Sequence, residues 1–397
     1  MLTGGILERM RNFTLAEEGR RMGLYLFFRE IVSELDTEVT LAGGKRVLML
    51  GSNSYMGLTT NPEVKEAAKR AIEKYGTGCS GSRFLNGTFD IHLQLEAALA
   101  EWVGKEAVLL FSTGFQVNQG VIAAVLNRHD HVLMDMCDHA SIVDGARLST
   151  AKVVRYRHND LEELESLLLE IPAHKGKFIV VDGIFSMEGD LARLPQVALL
   201  AGKHHSALMV DDAHGFGVMG KEGSGSVAHF GLTGEVDFIM GTFSKSLASL
   251  GGFIAADKVS IEYLKHQSRA FMFSASMPPS SAAAALAALR IIRREPERIE
   301  KLWDNARFLR EGLQSLGYDT GSSETPIIPV YIGDPITLMR TCKRLEEEGI
   351  FVNPVLPPAV QPNRALLRLS LMATHSKSQI AFALDKFEKI GREMDLI

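Results

Sequence analysis

Short apolar runs alternate with stretches of helical periodicity between residues 108 and 255. Leu161 to Leu169 is one of the stretches with helical periodicity. The apolar runs, which we predict to be buried strands, are Val108 to Phe111, Val132 to Met134, Val153 to Tyr156, Phe178 to Val181, Leu208 to Val210, Phe238 to Met240 and Phe253 to Ala255. Repeated alternation of strands and helices is typical of an α/β fold with a largely parallel sheet covered on both faces.

Residues with chemically active side chains come directly after several of these runs. They are Ser112-Thr113-Gly114, Asp135, Asp182, Asp211 and Thr242. Sheets of this kind bind ligands at the carboxyl ends of their strands. The pattern therefore predicts a ligand site at that edge of the sheet.

The chain divides into three parts. Residues 1–55 are a mixed N-terminal segment, and residues 56–291 are the large α/β domain. From residue 292 the sequence becomes strongly charged, and we predict a smaller α+β domain over residues 292–397. Its strands are expected at Ile328 to Ile332 and Leu366 to Leu371.

Composition limits the classes of function. The 397 residues are 46% hydrophobic and 23% charged, as in an ordinary globular protein. The net charge of −5 gives no electrostatic reason to expect a nucleic-acid partner. The three cysteines lie far apart and form no metal spacing or disulfide framework, so we predict a cytoplasmic location. Two uncharged spans, 107–127 and 270–289, hold too many polar residues or alanines for a membrane helix, and peripheral contact with the inner membrane stays open.

Lys245 lies in the segment Gly241-Thr242-Phe243-Ser244-Lys245-Ser246-Leu247, directly after a predicted strand. A lysine here can lose its proton and attack a carbonyl group, and its small neighbours leave room for a phosphate. Most lysines are simply solvated, so the motif is weak by itself. A Schiff-base role requires that the rest of the chain supply the other parts of a pyridoxal phosphate (PLP) site.

The segment Val210-Asp211-Asp212-Ala213-His214-Gly215 is the second candidate part. Two acids at a strand end bind a metal or cap a helix, and for this motif alone we favour capping. Beside a PLP lysine, a carboxylate pairs instead with the pyridine nitrogen and keeps it protonated. His214 would then lie close enough to hydrogen-bond the phenolic oxygen of the ring.

Two further segments complete the candidate site. Ser112-Thr113-Gly114-Phe115-Gln116 opens a helix after a strand, which is either an ordinary turn or a phosphate cradle of backbone N–H groups. Thr242 would add a hydroxyl to the same phosphate. Asp138-His139-Ala140-Ser141 offers a histidine that is either structural or stacks on a cofactor ring. No set of residues predicts a metal site.

A glycine-rich segment, Gly76 to Thr88, follows a helix that Asn61-Pro62 begins and Gly76 ends. Glycines let a backbone approach a ligand closely. The segment is a flexible linker or a shaped loop. We favour the loop, because Arg83-Phe84-Leu85 are poor linker residues.

Together these motifs resemble those of the α-oxoamine synthases, PLP enzymes with the aspartate aminotransferase-like fold type I. The similarity depends on Asp-Asp-Ala-His, Thr-Phe-Ser-Lys and Phe-Ser-Ala-Ser-Met-Pro-Pro occurring together in this order. It extends from Asn53-Ser54-Tyr55-Met56-Gly57 to Arg368-Leu369-Ser370. It implies a large domain with a mostly parallel seven-stranded sheet and a smaller α+β C-terminal domain.

The resemblance implies a role for each residue around the cofactor ring. Lys245 would carry the cofactor and later act as the base at Cα of the substrate. Asp211 would pair with the pyridine nitrogen, and His214 and Ser186 would hold the phenolic oxygen. His139 would stack on the ring. Lys245, His139, Asp211 and His214 are therefore the implied catalytic set.

The resemblance also implies how the phosphate is bound. Gly114, Phe115 and Thr242 would bind it within one subunit. Ser274 and Ala275 would reach it from the other subunit. The family pattern therefore implies an obligate homodimer with shared active sites.

The branch of the family that the chain resembles most condenses L-serine with a long-chain acyl-CoA, palmitoyl-CoA, and releases CO₂ to give 3-ketosphinganine. This reaction begins sphingolipid synthesis. By the same resemblance, Arg368 would hold the substrate carboxylate, Asn53 lies in a second carboxylate-contacting motif, and Ser82 lies near the amino-acid side chain. The loop from Tyr75 to Thr88 is among the closest matching stretches.

Two alternatives stay open. The first is another α-oxoamine synthase, which would be a 2-amino-3-ketobutyrate CoA ligase, a 5-aminolevulinate synthase or an 8-amino-7-oxononanoate synthase. The second is a non-catalytic regulatory subunit, although such subunits lack the lysine that is present here as Lys245. The acyl donor is left open between a CoA and a carrier-protein thioester.

Overall fold

The computed structural model describes residues 5–397. Its helices are α1 (Ile6–Arg11), α2 (Leu15–Arg21), α3 (Pro62–Tyr75), α4 (Asp90–Val103), α5 (Gly114–Val125), α6 (Ala140–Leu148), α7 (Leu161–Glu170), α8 (Leu194–Lys203), α9 (Ser226–His229), α10 (Lys258–Gln267), α11 (Arg269–Met272), α12 (Pro279–Arg294), α13 (Glu297–Leu316), α14 (Pro335–Glu347) and α15 (Lys377–Glu393). Its strands are β1 (Glu38–Thr40), β2 (Arg46–Met49), β3 (Ala107–Phe111), β4 (His131–Asp135), β5 (Lys152–Tyr156), β6 (Lys177–Asp182), β7 (Ala207–Asp211), β8 (Phe238–Thr242), β9 (Gly252–Ala256), β10 (Ile327–Gly333), β11 (Ile350–Phe351), β12 (Asn353–Val355) and β13 (Ala365–Ser370).

Seven strands form the central sheet, in the order β3-β9-β8-β7-β6-β4-β5. The pairs from β8 to β5 are parallel, whereas β9 is antiparallel to both β8 and β3. Every apolar run predicted between residues 108 and 255 forms one of these strands. The prediction of a mostly parallel, seven-stranded α/β sheet is therefore confirmed.

Successive residues of a strand face opposite sides of the sheet, and here both sides are covered. Leu109 of β3 packs in one core cluster with Val117 of α5. Val108 and Leu110 pack in another cluster with Leu95 of α4. All five side chains are at most 4% exposed. Burial of such a side chain contributes about 1.5–3 kcal/mol, which explains why continuous apolar runs become central strands.

The register of the parallel strands gathers polar side chains at one edge. Asp182, the last residue of β6, lies opposite Asp211, the last residue of β7. Asp211 lies opposite Met240 of β8, two residues before Thr242. The carboxyl ends of the strands therefore meet where the ligand site was predicted.

Two smaller sheets lie outside the central one. The first has the order β1-β2-β11 and joins the N-terminal segment to the C-terminal part of the chain. The second has the order β10-β13-β12, and its first two strands are those predicted after residue 292. The predicted boundary between residues 291 and 292 falls inside α12, and the predicted domain limits stay predictions.

The two uncharged spans belong to the folded core. Span 107–127 contains β3 and α5, and span 270–289 ends in α12, which packs against α3. Over residues 5–397 no helix combines the length and the apolar character needed to cross a bilayer. The cytoplasmic location and the peripheral membrane contact stay predictions.

We expect the substitution Gly241→Ala to destabilise β8, the strand that leads to Lys245. A Cβ at this position would lie 2.3 Å from Phe253 Cε1 and 2.7 Å from Phe216 Cε2, inside the packed core. Overpacking of this kind costs about 1–3 kcal/mol. The melting temperature of the variant should therefore fall in a thermal unfolding experiment.

Gly234→Ala is the matched control, because a Cβ at Gly234 would meet no atom within 4 Å. Its melting temperature should stay close to that of the unmodified protein. Equal melting temperatures for the two variants would contradict the packing argument for β8.

Candidate active site

A cavity of about 270 Å³ lies at the carboxyl edge of the central sheet. It contains all the predicted catalytic residues and all the predicted cofactor-binding residues except Ser274 and Ala275. The residues that line it are Thr113, Gly114, Phe115, His139, Ser141, Asp182, Ser186, Asp211, Ala213, His214, Met240, Thr242, Ser244, Lys245 and Leu250. The fold therefore brings together side chains from five strand ends and the helices that follow them.

Lys245 follows the end of β8 and is half-buried at the cavity. Burial lowers the pKa of its amine to about 8, because a charged ammonium is poorly solvated there. The carboxylates of Asp211 and Asp182 oppose this shift, and the positive charge of Arg368 adds to it. Near neutral pH a larger fraction of this amine is therefore neutral and nucleophilic than in an exposed lysine.

Asp211 presents a fixed carboxylate to the cavity. It is 4% exposed and ends β7. The backbone N–H of Ala213 donates to Oδ1 at 3.0 Å, and Asn118 Nδ2 donates to Oδ2 at 2.6 Å. With both oxygens held, the side chain has one orientation in which to meet a cationic group.

His214 is a neutral, oriented imidazole. Its Nδ1 lies 2.7 Å from the hydroxyl of Tyr55. Burial holds the pKa of His214 well below its usual value, and the positive charges of Lys245 and Arg368 lower it further. Burial also raises the pKa of the Tyr55 phenol, so both groups are uncharged. Because Nδ1 of His214 contacts Tyr55, its Nε2 can bind a ligand.

His139 forms a flat wall of the cavity. Its centroid lies 6.2 Å from that of the Phe115 ring, and the two planes meet at 75°. Its backbone N–H donates to Asp182 Oδ2 at 2.9 Å, which fixes the start of α6 against β6. A planar ligand in the cavity would therefore meet the His139 ring.

The N-terminus of α5 points at the cavity. Thr113 caps the helix by accepting a hydrogen bond from the Gln116 backbone N–H at 3.2 Å. The first N–H groups of a helix have no partner within it and attract anions. A Cβ at Gly114 would lie 2.7 Å from Thr242 Oγ1, so only glycine allows α5 to approach β8 this closely.

Arg368 lies beside the cavity on β13 and is 6% exposed. Its Nε donates to the backbone oxygen of Ser186 at 2.5 Å, and its Nη1 donates to Ser370 Oγ at 2.8 Å. Asn53 lies next to the Tyr55 hydroxyl, at 3.4 Å from Oδ1. Both predicted carboxylate-binding residues therefore adjoin the residues around Lys245.

Three predicted residues lie elsewhere in the subunit. Ser82 is 8% exposed in the glycine-rich loop, Ser274 Oγ lies 3.2 Å from Gln116 Nε2, and Ala275 is exposed. None of the three is among the described residues that line the cavity. Their predicted roles therefore stay predictions.

A row of buried acids supports the cavity. Asp138 accepts the backbone N–H groups of Asp135 at 2.8 Å and Asp182 at 2.9 Å. Burial and the neighbouring carboxylates raise the pKa values of Asp138 and Asp182 well above their usual range. These contacts tie β4 to β6 and so hold the segment that carries His139.

His158 lies between two acids, with Nδ1 at 3.0 Å from Asp135 Oδ1 and Nε2 at 2.8 Å from Asp190 Oδ2. Burial lowers the pKa of His158, but the two hydrogen bonds outweigh it and raise the pKa to about 12. Asp135, Cys137 and His158 lie near enough to one another to hold a metal. Because both ring nitrogens donate to carboxylates, however, the imidazolium has no lone pair for a metal.

Sequence reasoning gave no role to Tyr55, Asn118, Asp182 or Ser244. Two of them could have been predicted from the sequence, because Asp182 follows a predicted strand and Ser244 precedes Lys245. Asn118 could also have been noticed, because it is an amide within the apolar helix α5, where it is fully buried. Tyr55 lies in a quoted motif, but only tertiary structure places its hydroxyl on His214.

The chain belongs to the class I and II aminotransferase family, whose model matches residues 45–387. This family is PLP-dependent and has fold type I, so the predicted fold and the predicted cofactor are confirmed. A smaller part built on β10, β12 and β13 accompanies the large sheet, as that fold requires.

Comparison with individual relatives narrows the class of PLP enzyme. The chain is 52% identical to a serine palmitoyltransferase of Sphingobacterium spiritivorum over 396 residues, or 100% of this chain and 99% of that protein. It is similar to the structure of a serine palmitoyltransferase of S. paucimobilis with PLP and myriocin bound, with a TM-score of 0.96, 35% identity, and coverage of 99% and 100%. It is 44% identical to an 8-amino-7-oxononanoate synthase of Thermosipho melanesiensis over 381 residues, or 96% and 97% of the two chains. The resemblance to α-oxoamine synthases is therefore confirmed.

The cavity fits PLP group by group. The N-terminus of α5 suits a phosphate, and a side chain at Gly114 would occupy the space between α5 and Thr242. Asp211 suits a protonated pyridine nitrogen, and neutral His214 suits a phenolic oxygen. The amine of Lys245 is the nucleophile that an aldehyde requires.

We expect Gly114→Ala to weaken PLP binding without unfolding the chain. The new Cβ would push α5 away from Thr242 and misplace the N–H groups that face the phosphate. A loss of about 1.4 kcal/mol or more corresponds to at least about a tenfold higher Kd for PLP. Titration of the cofactor-free protein with PLP, followed by absorbance, measures this change.

Gly202→Ala in α8 is the matched control, because a Cβ there would meet no atom within 4 Å. Its affinity for PLP should match that of the unmodified protein. Unchanged affinity of Gly114→Ala for PLP would contradict the prediction that the N-terminus of α5 binds the phosphate.

We expect capture of PLP by Lys245 to rise with pH and to level off above about pH 8, because only the neutral amine attacks an aldehyde. Borohydride reduction at timed intervals, followed by peptide mass spectrometry, gives the rate at each pH. Asp211→Asn should move the midpoint to lower pH, since the Asp211 carboxylate raises the pKa of Lys245.

Exposed lysines of the same protein provide the internal reference, with an ordinary pKa of about 10.4. If Lys245 reacted with the same pH dependence as these lysines, the effect of burial on its amine would be disproved.

Proposed function

We propose that this chain is a serine palmitoyltransferase, which condenses L-serine with palmitoyl-CoA to form 3-ketosphinganine, CoA and CO₂. One observation carries the chemistry: an amine of lowered pKa, Lys245, shares a cavity with the fixed carboxylate of Asp211 and the free N-terminus of α5. The choice of L-serine and a long-chain acyl-CoA is supported by 52% identity over the full length to a serine palmitoyltransferase.

PLP, when bound, supplies an electron sink that stabilises negative charge at Cα of the amino acid. Lys245 is placed to take the Cα proton, because its lowered pKa leaves more of its amine neutral than in an ordinary lysine. Cα then forms a bond with the thioester carbonyl carbon, the C–S bond breaks, and CoA leaves. Loss of the carboxyl group as CO₂ and return of a proton to Cα complete the reaction.

The other cavity residues are suited to the polar groups of the PLP ring. The Asp211 carboxylate would balance the positive charge of the pyridine nitrogen, and its two hydrogen bonds hold the carboxylate in place. Neutral His214, held by Tyr55, is suited to the phenolic oxygen. Ser186 adds a hydroxyl at the cavity wall.

Substrate recognition is assigned to the residues beside the cavity. The guanidinium of Arg368 is planar and suits a carboxylate, and its Nε and Nη1 contacts hold it rigid. Asn53 lies on the same side of the cavity, where its Oδ1 accepts a hydrogen bond from the Tyr55 hydroxyl. We therefore assign the carboxylate of L-serine to this side of the cavity.

The active enzyme is proposed to be a homodimer with shared sites. Within one subunit, Ser274 and Ala275 do not line the cavity, and Ala275 is exposed. In this proposal Ser274 and Ala275 act at the phosphate of the partner subunit's cavity. Ser82 belongs to a loop that contacts the same segment through the hydrogen bond from the Ser276 backbone N–H to the Gly81 carbonyl. Light scattering during size-exclusion chromatography checks the dimer, and a monomer with full activity would refute it.

The first assay is thiol release by the purified enzyme from palmitoyl-CoA, acetyl-CoA, succinyl-CoA and pimeloyl-CoA, each with serine, glycine and alanine. We expect turnover only with serine and palmitoyl-CoA. Turnover with alanine and pimeloyl-CoA would instead support an 8-amino-7-oxononanoate synthase, the function named for the Thermosipho relative.

We expect Lys245→Ala to lose at least about a thousandfold in kcat, since one residue serves as nucleophile and base. Lys265→Ala, which removes an exposed lysine paired with Glu262, is the control and should keep full activity. Wild-type turnover in Lys245→Ala would end the assignment of Lys245.

A further inference from the structure

The Nδ1 atom of His139 lies within hydrogen-bond distance of two groups of Ser141. The Ser141 backbone N–H lies 3.2 Å from this nitrogen, and the Ser141 hydroxyl lies 2.7 Å from it. A backbone N–H can only donate. Nδ1 must therefore be the ring nitrogen without a hydrogen.

The direction of the hydroxyl bond is set by a second residue, Asn118. Asn118 Nδ2 donates to Asp211 Oδ2 at 2.6 Å, and the acceptor carboxylate fixes which end of the amide faces it. The same nitrogen donates to Ser141 Oγ at 2.7 Å. Because that oxygen already accepts a hydrogen from Asn118, its own hydrogen is free to point at His139.

These contacts link Asp211 to His139 through Asn118, which donates to both Asp211 and Ser141, and through Ser141, which donates to His139. Asn118 is fully buried and Ser141 is 1% exposed, so water does not compete for their hydrogen bonds. Among the described residues Asn118 Oδ1 has no hydrogen-bond partner, so the orientation of the amide depends on its two donated bonds. An unpaired buried amide oxygen costs free energy, which the two donated hydrogen bonds must offset.

Because these hydrogen bonds leave Nδ1 without a hydrogen, Nε2 is the nitrogen of the neutral His139 ring that carries one. The ring borders the cavity. Burial lowers the pKa of His139, the positive charge of Lys245 adds to this, and the Asp211 carboxylate opposes it. The ring is therefore neutral near pH 7. The nearby Asp182 side chain accepts a hydrogen bond from the His139 backbone N–H and none from the ring.

We propose that Asn118 and Ser141 are positioning residues that hold His139 in its neutral Nε2–H tautomer. In that tautomer the ring donates a hydrogen bond to an oxygen of the bound substrate and cannot take a proton at Nε2. Proton acceptance at the reacting carbon is thereby left to Lys245. This inference rests on the proposed function only for the substrate, since the tautomer is a property of the protein.

The direct test is the tautomer of His139, measured by long-range ¹H–¹⁵N NMR of the holoenzyme labelled with ¹⁵N-histidine. The His139 signals are identified by their absence in His139→Asn. We expect a protonated Nε2 and an unprotonated Nδ1 near pH 7.5. A protonated Nδ1, with or without a protonated Nε2, would overturn the proposal.

Ser141→Ala and Asn118→Leu test the two residues that link Asp211 to His139. Each should shift the ¹⁵N signals of His139 toward tautomer averaging and lower kcat/KM for serine about tenfold, as expected for one lost hydrogen bond at the reacting groups. PLP absorbance should show that the cofactor stays bound in Ser141→Ala, whereas Asn118→Leu also loses its bond to Asp211 and so changes two contacts. If Asn118→Leu fails to fold, Ser141→Ala still decides the outcome.

Ser149→Ala is the matched control, because Ser149 caps the other end of the same helix. Its hydroxyl donates to the Ala146 carbonyl and accepts the Ala151 backbone N–H, and neither contact involves His139. It should leave the NMR signals and kcat/KM unchanged. Unchanged His139 signals in Ser141→Ala would reduce Ser141 to a helix-packing residue and refute its positioning role. Because the NMR measurement needs no substrate, a wild-type enzyme that ignores serine would refute the proposed function and leave the tautomer result intact.

Discussion

The whole site depends on how buried charge is balanced at the carboxyl edge of the sheet. The parallel register places the carboxylates of Asp182 and Asp211 side by side, facing the amine of Lys245. In a medium of low polarity these charges interact strongly, so burial lowers the pKa of Lys245 and raises that of Asp182. Only Asp211 receives donors on both oxygens, which makes it the carboxylate fitted to oppose a cationic ring. The neutral state of His214 follows from the same balance, since a third cation beside Lys245 and Arg368 would be expensive.

Rigid contacts outside the cavity hold the parts that would reach a second subunit. Arg83 forms a two-pronged ion pair with Glu96, whose Oε1 also accepts the Leu110 backbone N–H of β3. The two side chains are 7% and 11% exposed, and removal of one partner from such a pair costs about 3–5 kcal/mol. His92 Nε2 bonds the Met277 carbonyl at 2.8 Å, which ties α4 to the segment that contains Ser274 and Ala275. The glycine-rich loop is therefore a shaped element, as its composition suggested.

The sequence predicted features that depend on neighbours along the chain. Continuous apolar runs must be buried on both faces, so the seven strands were predicted at their observed places. Asn61 and Gly76 mark the two ends of α3, because the Asn61 side chain accepts two N–H groups and Gly76 has a φ of 83°. Lys245, Asp211 and His214 stood out because they follow strands and match a family pattern. Asn118 did not stand out, since its partners Ser141 and Asp211 are 23 and 93 residues away.

What the sequence determined by itself was therefore the order of strands and helices, the edge of the sheet at which the cavity lies and the lysine that lines it. Tertiary structure alone decided which protonation states those residues adopt. A pKa depends on burial and on charges within a few ångströms, and these come from strands and helices that are distant along the chain. The lowered pKa of Lys245, the neutral ring of His214 and the hydrogen-bond direction at His139 all arise in this way.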